Sequence, residues 1–204
     1  EVTEYYLTMG QKHLKSKDIE HPYETTYLEG ELMDAYLHDL AIVQEFASLN
    51  REIILAEITK HMKWTILDSY PCIHNYVDAT EETIAAFHAP ILRKGAISSQ
   101  KGEKVIIPIN MRDGSVIAVG RGNPEWNYSA PHGAGRVMSR AGAREKLTLE
   151  EYKKAMEGIY TTSVNEDTLD EAPMAYKSLS DIIDVIGESV EVIEVLKPIY
   201  NFKA

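Results

Sequence analysis

The chain has 204 residues, of which 44% are hydrophobic and 26% charged, a composition typical of a globular protein with a packed core. Its longest apolar runs, such as VIIPI and LAIV, are too short to cross a membrane as a helix, and the acidic N-terminus is not a signal peptide. The one cysteine, Cys72, excludes internal disulfides and a four-cysteine zinc site, which fits a cytoplasmic location.

The formal net charge of −11 argues against nucleic-acid binding when it is taken alone. The charge is unevenly distributed, because residues 88–147 carry ten Lys and Arg against four Asp and Glu, whereas the rest carries eleven against twenty-eight. A basic centre on an acidic scaffold can attract phosphates locally. The alternative is a solvated loop region that happens to be basic.

Residues 1–62 are predicted to be helical, because apolar side chains recur at spacings of three and four between Tyr36 and Ile54. Residues 64–130 are predicted to be rich in strands, since runs such as ILRKGAIS, KVIIPI and GSVIAVG are short, β-branched and bounded by turn residues. The Asp-Gly pair at position 113 predicts a turn between two of these strands. The CIHN segment is interpreted as the end of a further strand.

Residues 131–204 are predicted to mix helices with a strand. We expect a helix to follow His132 and run through Ala143, and TLEE has the pattern of a capping box that begins a second helix. SLSDIIDVI predicts a short helix, and SVEVIEVLKPIYNFKA alternates like a closing strand. No repeat or linker divides the chain, so the sequence predicts one α+β domain over residues 1–204.

The motif SAPHGAGRVMSR surrounds His132 and has the elements of a phosphate site. Gly133 and Gly135 would let the backbone approach a ligand at the N-terminus of the predicted helix. Arg136 and Arg140, four residues apart, would share a face of that helix and hold phosphate oxygens. His132 could then act as a nucleophile and form a phosphoramidate. By itself, the motif also fits a glycine-rich helix start with solvent-facing arginines.

His74 is a second candidate, because neutral histidine is the commonest ligand for borderline divalent metals. Cys72 lies two residues earlier and would share a strand face with it. A hydrogen-bonded histidine in the core is the alternative. His74 alone cannot hold a metal, so other ligands would have to come from elsewhere.

Several motifs occur in a characteristic order: HNYV, ILRKGA, VIIP with NMRDGS, SAPHGAGRVMSR, EAPMAYK and a terminal Phe-Lys-Ala. Each is weak alone, but the ordered set resembles the RtcB family of RNA ligases over nearly the whole chain. The resemblance implies an RtcB-like mixed fold and the joining of RNA 3′-phosphate or 2′,3′-cyclic phosphate ends to 5′-hydroxyl ends, as in tRNA splicing or RNA repair. It also implies GTP and Mn²⁺ as cofactors, RNA as the partner and no membrane association.

The resemblance also assigns roles to individual residues. His132 matches the nucleophile that takes GMP from GTP and passes the guanylate to the RNA 3′-phosphate, and His74 matches a manganese ligand. The positions that match GTP contacts are Asn75, Pro108, Asn110, Met111, Ser115, Gly133, Ala134, Gly135, Tyr176 and Lys203. The candidate contacts to RNA phosphates are Arg93, Lys94, Arg136 and Arg140.

The sequence departs from the family pattern in two respects. Residues 109–112 read Ile-Asn-Met-Arg where the family has Gly-Ser-Met-Gly, so the glycines that allow close backbone approach are lost. The family's Asp-x-x-Cys, Gly-Asn-His and His-Ser-Gly-Ser-Arg segments, which carry its other metal ligands, are not in this sequence. We therefore expect the C-terminal part of a ligase domain, inactive without the missing N-terminal half. The alternatives are a non-catalytic relative that binds nucleotide or RNA, and a folded fragment without ligand affinity.

Overall fold

The computed structural model describes residues 2–203, which divide into two compact units. The described residues of the first unit are 2–71 and 79–91, and those of the second are 72–78 and 92–203. Helices and small, mainly antiparallel sheets alternate along the chain, which confirms the α+β class. That both units belong to one catalytic domain stays a prediction. Within residues 2–203, no helix combines the length and the apolar character that a membrane span requires.

The first unit is helical, as the sequence predicts. It contains α1 (Val2–Ser16), α2 (Gly30–Met62) and α3 (Glu81–Phe87). The Tyr6 hydroxyl on α1 donates a hydrogen bond of 2.7 Å to Asp39 on α2. Helix α3 falls inside the segment predicted to be strand-rich, because the Thr80 side chain accepts a hydrogen bond from the Thr83 amide and so caps a helix there.

The remaining elements are short strands and three further helices. The strands are β1 (Asn75–Asp78), β2 (Ile91–Lys94), β3 (Ala96–Ser98), β4 (Lys104–Asn110), β5 (Gly114–Gly120), β6 (Ser129–Pro131), β7 (Tyr160–Thr161), β8 (Val190–Leu196) and β9 (Tyr200–Asn201). The helices are α4 (Arg140–Lys146), α5 (Leu149–Ala155) and α6 (Leu179–Ile186). The predicted capping box at the start of α5, the helix α6 and the closing strand β8 are all confirmed.

An antiparallel sheet with the strand order β4-β5-β8 forms the main core of the second unit. Its inward side chains, such as Ile107 and Val116, pack with Ile182 and Ile186 of α6. The turn predicted at Asp113-Gly114 joins β4 to β5. This sheet fixes the C-terminal ends of β4 and β8, from which much of the cavity wall is built.

Strand β6 places His132 beside Gly95. Strands β3 and β6 pair antiparallel with Ala96 opposite Pro131, so the residues that flank this pair also face each other. Gly95 has a φ of +75°, which a glycine adopts without strain. The chain can therefore turn sharply between β2 and β3 directly beneath the histidine.

The prediction of a helix directly after His132 is wrong. Helix α4 begins only at Arg140, where the Ser139 side chain accepts a hydrogen bond from the amide of Gly142. The intervening residues form bends around an isolated antiparallel bridge between Arg136 and Tyr176 instead of a helix. The interpretation of CIHN as a strand end is also wrong, since β1 begins at Asn75.

Arg93 is a buried structural residue. Its side chain is 1% exposed and forms an ion pair with Asp78. Its guanidinium also donates to Ser129 Oγ at 3.3 Å and to the Asn127 carbonyl at 3.4 Å, and lies over the Tyr76 ring at 5.5 Å. Arg93 thus ties β1 and β2 to the strand that precedes His132. The prediction that it contacts RNA phosphates is wrong, because its charge is neutralised in the interior.

We expect Asp78→Ala to lower the free energy of unfolding by about 3–5 kcal/mol, because it leaves the Arg93 charge buried without its partner. Urea unfolding monitored by circular dichroism measures this loss. Arg112→Ala, which removes an exposed ion pair with Asp113, is the matched control and should cost at most about 1 kcal/mol. The double variant Asp78→Ala/Arg93→Met should recover part of the loss. If Asp78→Ala and Arg112→Ala lower the free energy of unfolding by equally small amounts, the structural role of the buried Arg93 ion pair is contradicted.

Candidate functional site

One cavity of about 680 Å³ opens in the second unit where the β4–β5 turn, the segment after β6 and the chain after β8 meet. Its volume is in the range of pockets that bind small molecules. Twelve of the sixteen predicted site residues line it: Pro108, Asn110, Met111, Ser115, His132, Gly133, Ala134, Gly135, Arg136, Arg140, Tyr176 and Lys203. The other four, His74, Asn75, Arg93 and Lys94, do not line the cavity.

His132 is held in one tautomer by the backbone. Its Nδ1 lies 2.5 Å from the Gly95 carbonyl oxygen. A carbonyl can only accept, so in this bond Nδ1 carries the hydrogen and Nε2 keeps its lone pair. The His74 ring stacks on His132 with 4.7 Å between centroids and 17° between planes. An exposed imidazole with a fixed ring and a free Nε2 lone pair is chemically suited to nucleophilic attack.

Two glycines leave room for the His132 ring and for the backbone that follows it. A Cβ on Gly95 would lie 3.3 Å from the His132 ring, and one on Gly133 would lie 3.2 Å from the Pro108 carbonyl oxygen. The Ala134 amide donates to that same carbonyl at 3.1 Å. The residues after His132 therefore lie directly against the end of β4.

Two consecutive carboxylates organise the cationic wall of the cavity. Asp170 is 2% exposed, and its carboxylate pairs with Arg140 at 3.0 Å and with Arg144 at 2.8 Å. Glu171 accepts hydrogen bonds from the Tyr176 hydroxyl at 2.7 Å and from Lys203 Nζ at 3.2 Å. Arg136 and Arg140 do not share a helix face as predicted, but both reach this acidic pair.

Arg136 is fixed more firmly than Arg140. Its guanidinium donates to the Tyr176 hydroxyl at 2.9 Å, to the Met138 carbonyl at 3.0 Å and to the Asp170 carbonyl, and it lies 4.8 Å over the Tyr176 ring. The Arg140 side chain is 72% exposed. Arg140 can therefore turn toward a phosphate with little loss of packing, whereas Arg136 can meet a phosphate only from its present position on the cavity wall.

The protonation states in this cluster follow from its contacts. Burial, followed by the hydrogen bond to Glu171, raises the pKa of Tyr176 to about 12. Burial alone would raise the pKa of Glu171, but the hydrogen bonds from Tyr176 and Lys203 hold it below its usual value. At neutral pH Tyr176 is thus a neutral donor and Glu171 an anion. Four cations (Arg136, Arg140, Arg144 and Lys203) share two carboxylates, which leaves positive charge for a polyanion.

The family profile described as tRNA-splicing ligase RtcB matches residues 1–204. The chain belongs to the RtcB family. The RNA-splicing ligase RtcB1 of an Escherichia coli strain is 32% identical to it over 218 residues, covering 98% of this chain and 52% of the relative. The RNA-splicing ligase RtcB of E. coli K12 is 30% identical with the same coverage. The tRNA-splicing ligase RtcB of Archaeoglobus fulgidus is 42% identical over 90 residues, covering 42% of this chain and 19% of the relative. The chain spans about half the length of the first two relatives.

Two positions that match GTP contacts of the RtcB family are already engaged internally. The Asn110 side chain accepts from the amides of Arg112 and Asp113 and donates to the Asp113 carboxylate, so it closes the β4–β5 turn. The Met111 side chain is buried, and its sulfur lies 3.0 Å from the Tyr152 hydroxyl. Met111 therefore presents backbone, rather than its side chain, to the cavity.

Lys203 reaches the cavity because the end of the chain is anchored. Strand β9 pairs in parallel with β7, and Asn201 donates to the Met111 carbonyl at 2.7 Å. Ser163 exchanges two hydrogen bonds with the Lys203 backbone, one to its amide at 2.7 Å and one to its carbonyl at 3.0 Å. Composition and spacing alone gave no reason to select Lys203 or Tyr176.

Sequence reasoning missed Asp170, Glu171 and Lys197, the last of which is exposed on the cavity wall. The only signal for the acidic pair was its position at the start of EAPMAYK, since Asp170 directly precedes this motif and Glu171 is its first residue. Acidic loop residues are otherwise normally solvated. Within residues 2–203, no three His, Cys, Asp or Glu side chains are grouped to hold a metal ion. The described residues therefore do not complete a manganese site around His74.

We expect Asp170→Asn to lower the free energy of unfolding by about 1–3 kcal/mol near pH 7, because it removes the charge-assisted hydrogen bonds that this buried carboxylate accepts from two arginines whose own charges remain exposed to solvent. Burial alone would raise the pKa of Asp170, but Arg144 and then Arg140 hold it below its ordinary value of 3.8. The stabilisation is thus present above that value and lost as the pH falls through the folded-state pKa, so the difference between variant and parent should shrink below about pH 4.

Urea unfolding at a series of pH values measures this difference. Asp184→Asn, at an exposed acid on α6, is the control and should differ little from the parent at any pH. An Asp170→Asn deficit that persists unchanged in acid would contradict the ionic role.

Proposed function

We propose that this chain provides the nucleophile and most of the nucleotide-binding surface of an RNA ligase that joins 3′-phosphate or 2′,3′-cyclic phosphate ends to 5′-hydroxyl ends. The observation that carries the proposal is His132, whose Nδ1 is bonded to the Gly95 carbonyl and whose ring lies on the wall of a cavity with excess positive charge. Family membership and the printed names of the relatives, RNA-splicing and tRNA-splicing ligases, support the same reaction class.

The proposed first step is attack of His132 Nε2 on the α-phosphorus of GTP. A phosphorus–nitrogen bond forms, the bond from the α-phosphorus to the bridging oxygen breaks, and pyrophosphate leaves. The hydrogen bond from Nδ1 to the Gly95 carbonyl stabilises the positive charge that develops on the ring.

A 2′,3′-cyclic phosphate must first add water, which breaks its bond to the 2′-oxygen and leaves a 3′-phosphate. In the second step an oxygen of the RNA 3′-phosphate attacks the guanylate phosphorus, and the bond to His132 breaks. The 5′-hydroxyl then attacks the activated 3′-phosphate, loses its proton to solvent, forms the phosphodiester and expels GMP. Covalent catalysis of this kind divides one difficult joining reaction into easier transfers.

The cavity supplies most of the proposed contacts to the reactants, and only Asn75 and Lys94 among them lie outside its lining. We assign the guanine side to Tyr176 and Lys203 and the ribose and α-phosphate to the backbone of Gly133–Gly135, with Pro108, Asn110, Met111, Ser115 and Asn75 as further nucleotide contacts. Lys94, Arg136 and Arg140 are assigned to RNA phosphates, and Arg93 is no longer included. Contacts of this type position a backbone without reading its bases, so low sequence specificity is expected.

Manganese, the metal of the family, would supply charge neutralisation at the phosphates. Among the described residues only His74 is assigned to it, and one imidazole does not make a metal site. We therefore propose that further ligands come from outside residues 2–203, and we derive no step through the metal. The same observation favours a second candidate function, a non-catalytic protein that binds nucleotide or RNA.

We expect this chain not to complete ligation by itself but to carry out the first step. Incubated with GTP and Mn²⁺, the purified protein should gain the mass of one guanylate, because His132 retains the phosphoryl group until an acceptor arrives. Intact-mass spectrometry under neutral conditions, which preserve the phosphoramidate, detects the adduct. His132→Ala should abolish it. His61→Gln, at an exposed histidine on α2 that contacts Glu57 of the same helix, is the matched control and should leave the adduct intact.

An adduct in the His132→Ala variant would overturn the assignment of the nucleophile. Saturable GTP binding by the parent without any adduct would favour the non-catalytic alternative. Unchanged thermal stability in the presence of GTP, Mn²⁺ and RNA would oppose both functions, since a ligand that binds only the native state must stabilise it.

A further inference from the structure

We infer that Glu171 is the positioning residue that joins the nucleotide side of the cavity to the RNA-phosphate side. The inference rests on the proposed function. It concerns a residue to which neither the sequence motifs nor the family resemblance gave a role.

The two oxygens of the Glu171 carboxylate receive two different sets of groups. Oε2 accepts the Tyr176 hydroxyl and the Lys203 ammonium, which are the two groups assigned to guanine. Oε1 lies 3.6 Å from Arg136 and 3.5 Å from Arg140, the two cavity arginines assigned to RNA phosphates. One carboxylate is therefore shared by both sides of the site.

The surroundings of Glu171 suit a positioning role better than direct contact with a ligand. Its side chain is only 15% exposed, and both oxygens are already surrounded by donors. Its carboxylate is an anion at neutral pH, which a phosphate would repel. Its partners, in contrast, are long side chains that lose rotamer freedom when a ligand fixes them. Holding them in place beforehand reduces that loss when the ligand binds.

The partners depend on Glu171 to different degrees. Arg140 keeps Asp170 as a second carboxylate partner, and Arg136 keeps its bonds to the Tyr176 hydroxyl and to the Asp170 and Met138 carbonyls. For Lys203 Nζ, Glu171 is the one ion-pair partner found in the described part of the chain. Loss of the carboxylate should thus release Lys203 most, and with it the guanine side.

His132 is held independently of Glu171, because its ring is fixed by the Gly95 carbonyl and by His74. A change at Glu171 should consequently weaken nucleotide binding without impairing the attack itself. The KM for GTP therefore distinguishes a positioning residue from a residue that serves folding alone. Loss of a residue that serves folding alone would lower the amount of active protein and leave the KM unchanged.

The experiment measures adduct formation against GTP concentration in the protein and in Glu171→Gln. We expect the KM for GTP to rise about tenfold or more, the effect of losing a charge-assisted hydrogen bond, while the maximal rate changes less than about threefold. Glu171→Asp, which keeps the charge on a shorter side chain, should recover part of the KM. Glu157→Gln, at an exposed acid outside the cavity, is the matched control and should equal the parent.

Lys203→Ala tests the same contact from the other partner and does not depend on the stability of the Glu171 variant. It should raise the KM similarly, and Glu171→Gln/Lys203→Ala should be no worse than the more affected single variant, because both remove one interaction. An unchanged KM in Glu171→Gln, or additive losses in the double variant, overturns the inference. A parent protein that forms no adduct overturns the proposed function first, whereas an adduct that is insensitive to Glu171 overturns this inference alone.

Discussion

The cavity depends on the pairing of two chain segments that lie about forty residues apart in the sequence. The Val137 amide donates to the Ala175 carbonyl at 2.9 Å, and the Lys177 amide donates to the Gly135 carbonyl at 3.1 Å. This pairing lays Arg136 against Tyr176 and brings the acidic turn that precedes Tyr176 to the same wall. Without this pairing, the segment that follows His132 would lie beside β4 but without its cationic surroundings.

Features with a local physical cause could be predicted from the sequence. The capping box that starts α5 and the apolar face of α6 are encoded within a few residues, and the β4–β5 turn follows from an Asp-Gly pair. The prediction of a helix after His132 was wrong because it considered only the residues next to His132 in the sequence. Gly135 adopts a φ of +73°, outside the helical region, and the pairing with residues 175–177 supplies the backbone hydrogen bonds that a helix would otherwise provide.

The candidate site residues also differ in whether a local motif or only long-range contacts in the fold identify them. His132 and its flanking glycines were selected from a local motif, whereas Tyr176 and Lys203 entered only through the family resemblance. Arg93 was misassigned because a sequence does not reveal that an arginine is buried against Asp78. Glu171 was missed for the reverse reason, since an acidic loop suggests solvent and only the fold shows four donors around one carboxylate.

The anchoring of the chain end has a practical consequence for protein engineering. Both backbone polar groups of Lys203 are bonded to Ser163, while its side chain lines the cavity. Any peptide that follows residue 203 would therefore emerge beside the cavity, where a polyhistidine tag or a bulky fusion could block the opening. Affinity handles and fluorescent reporters belong in the exposed loop between α1 and α2, so that a loss of activity can be attributed to the variant under study.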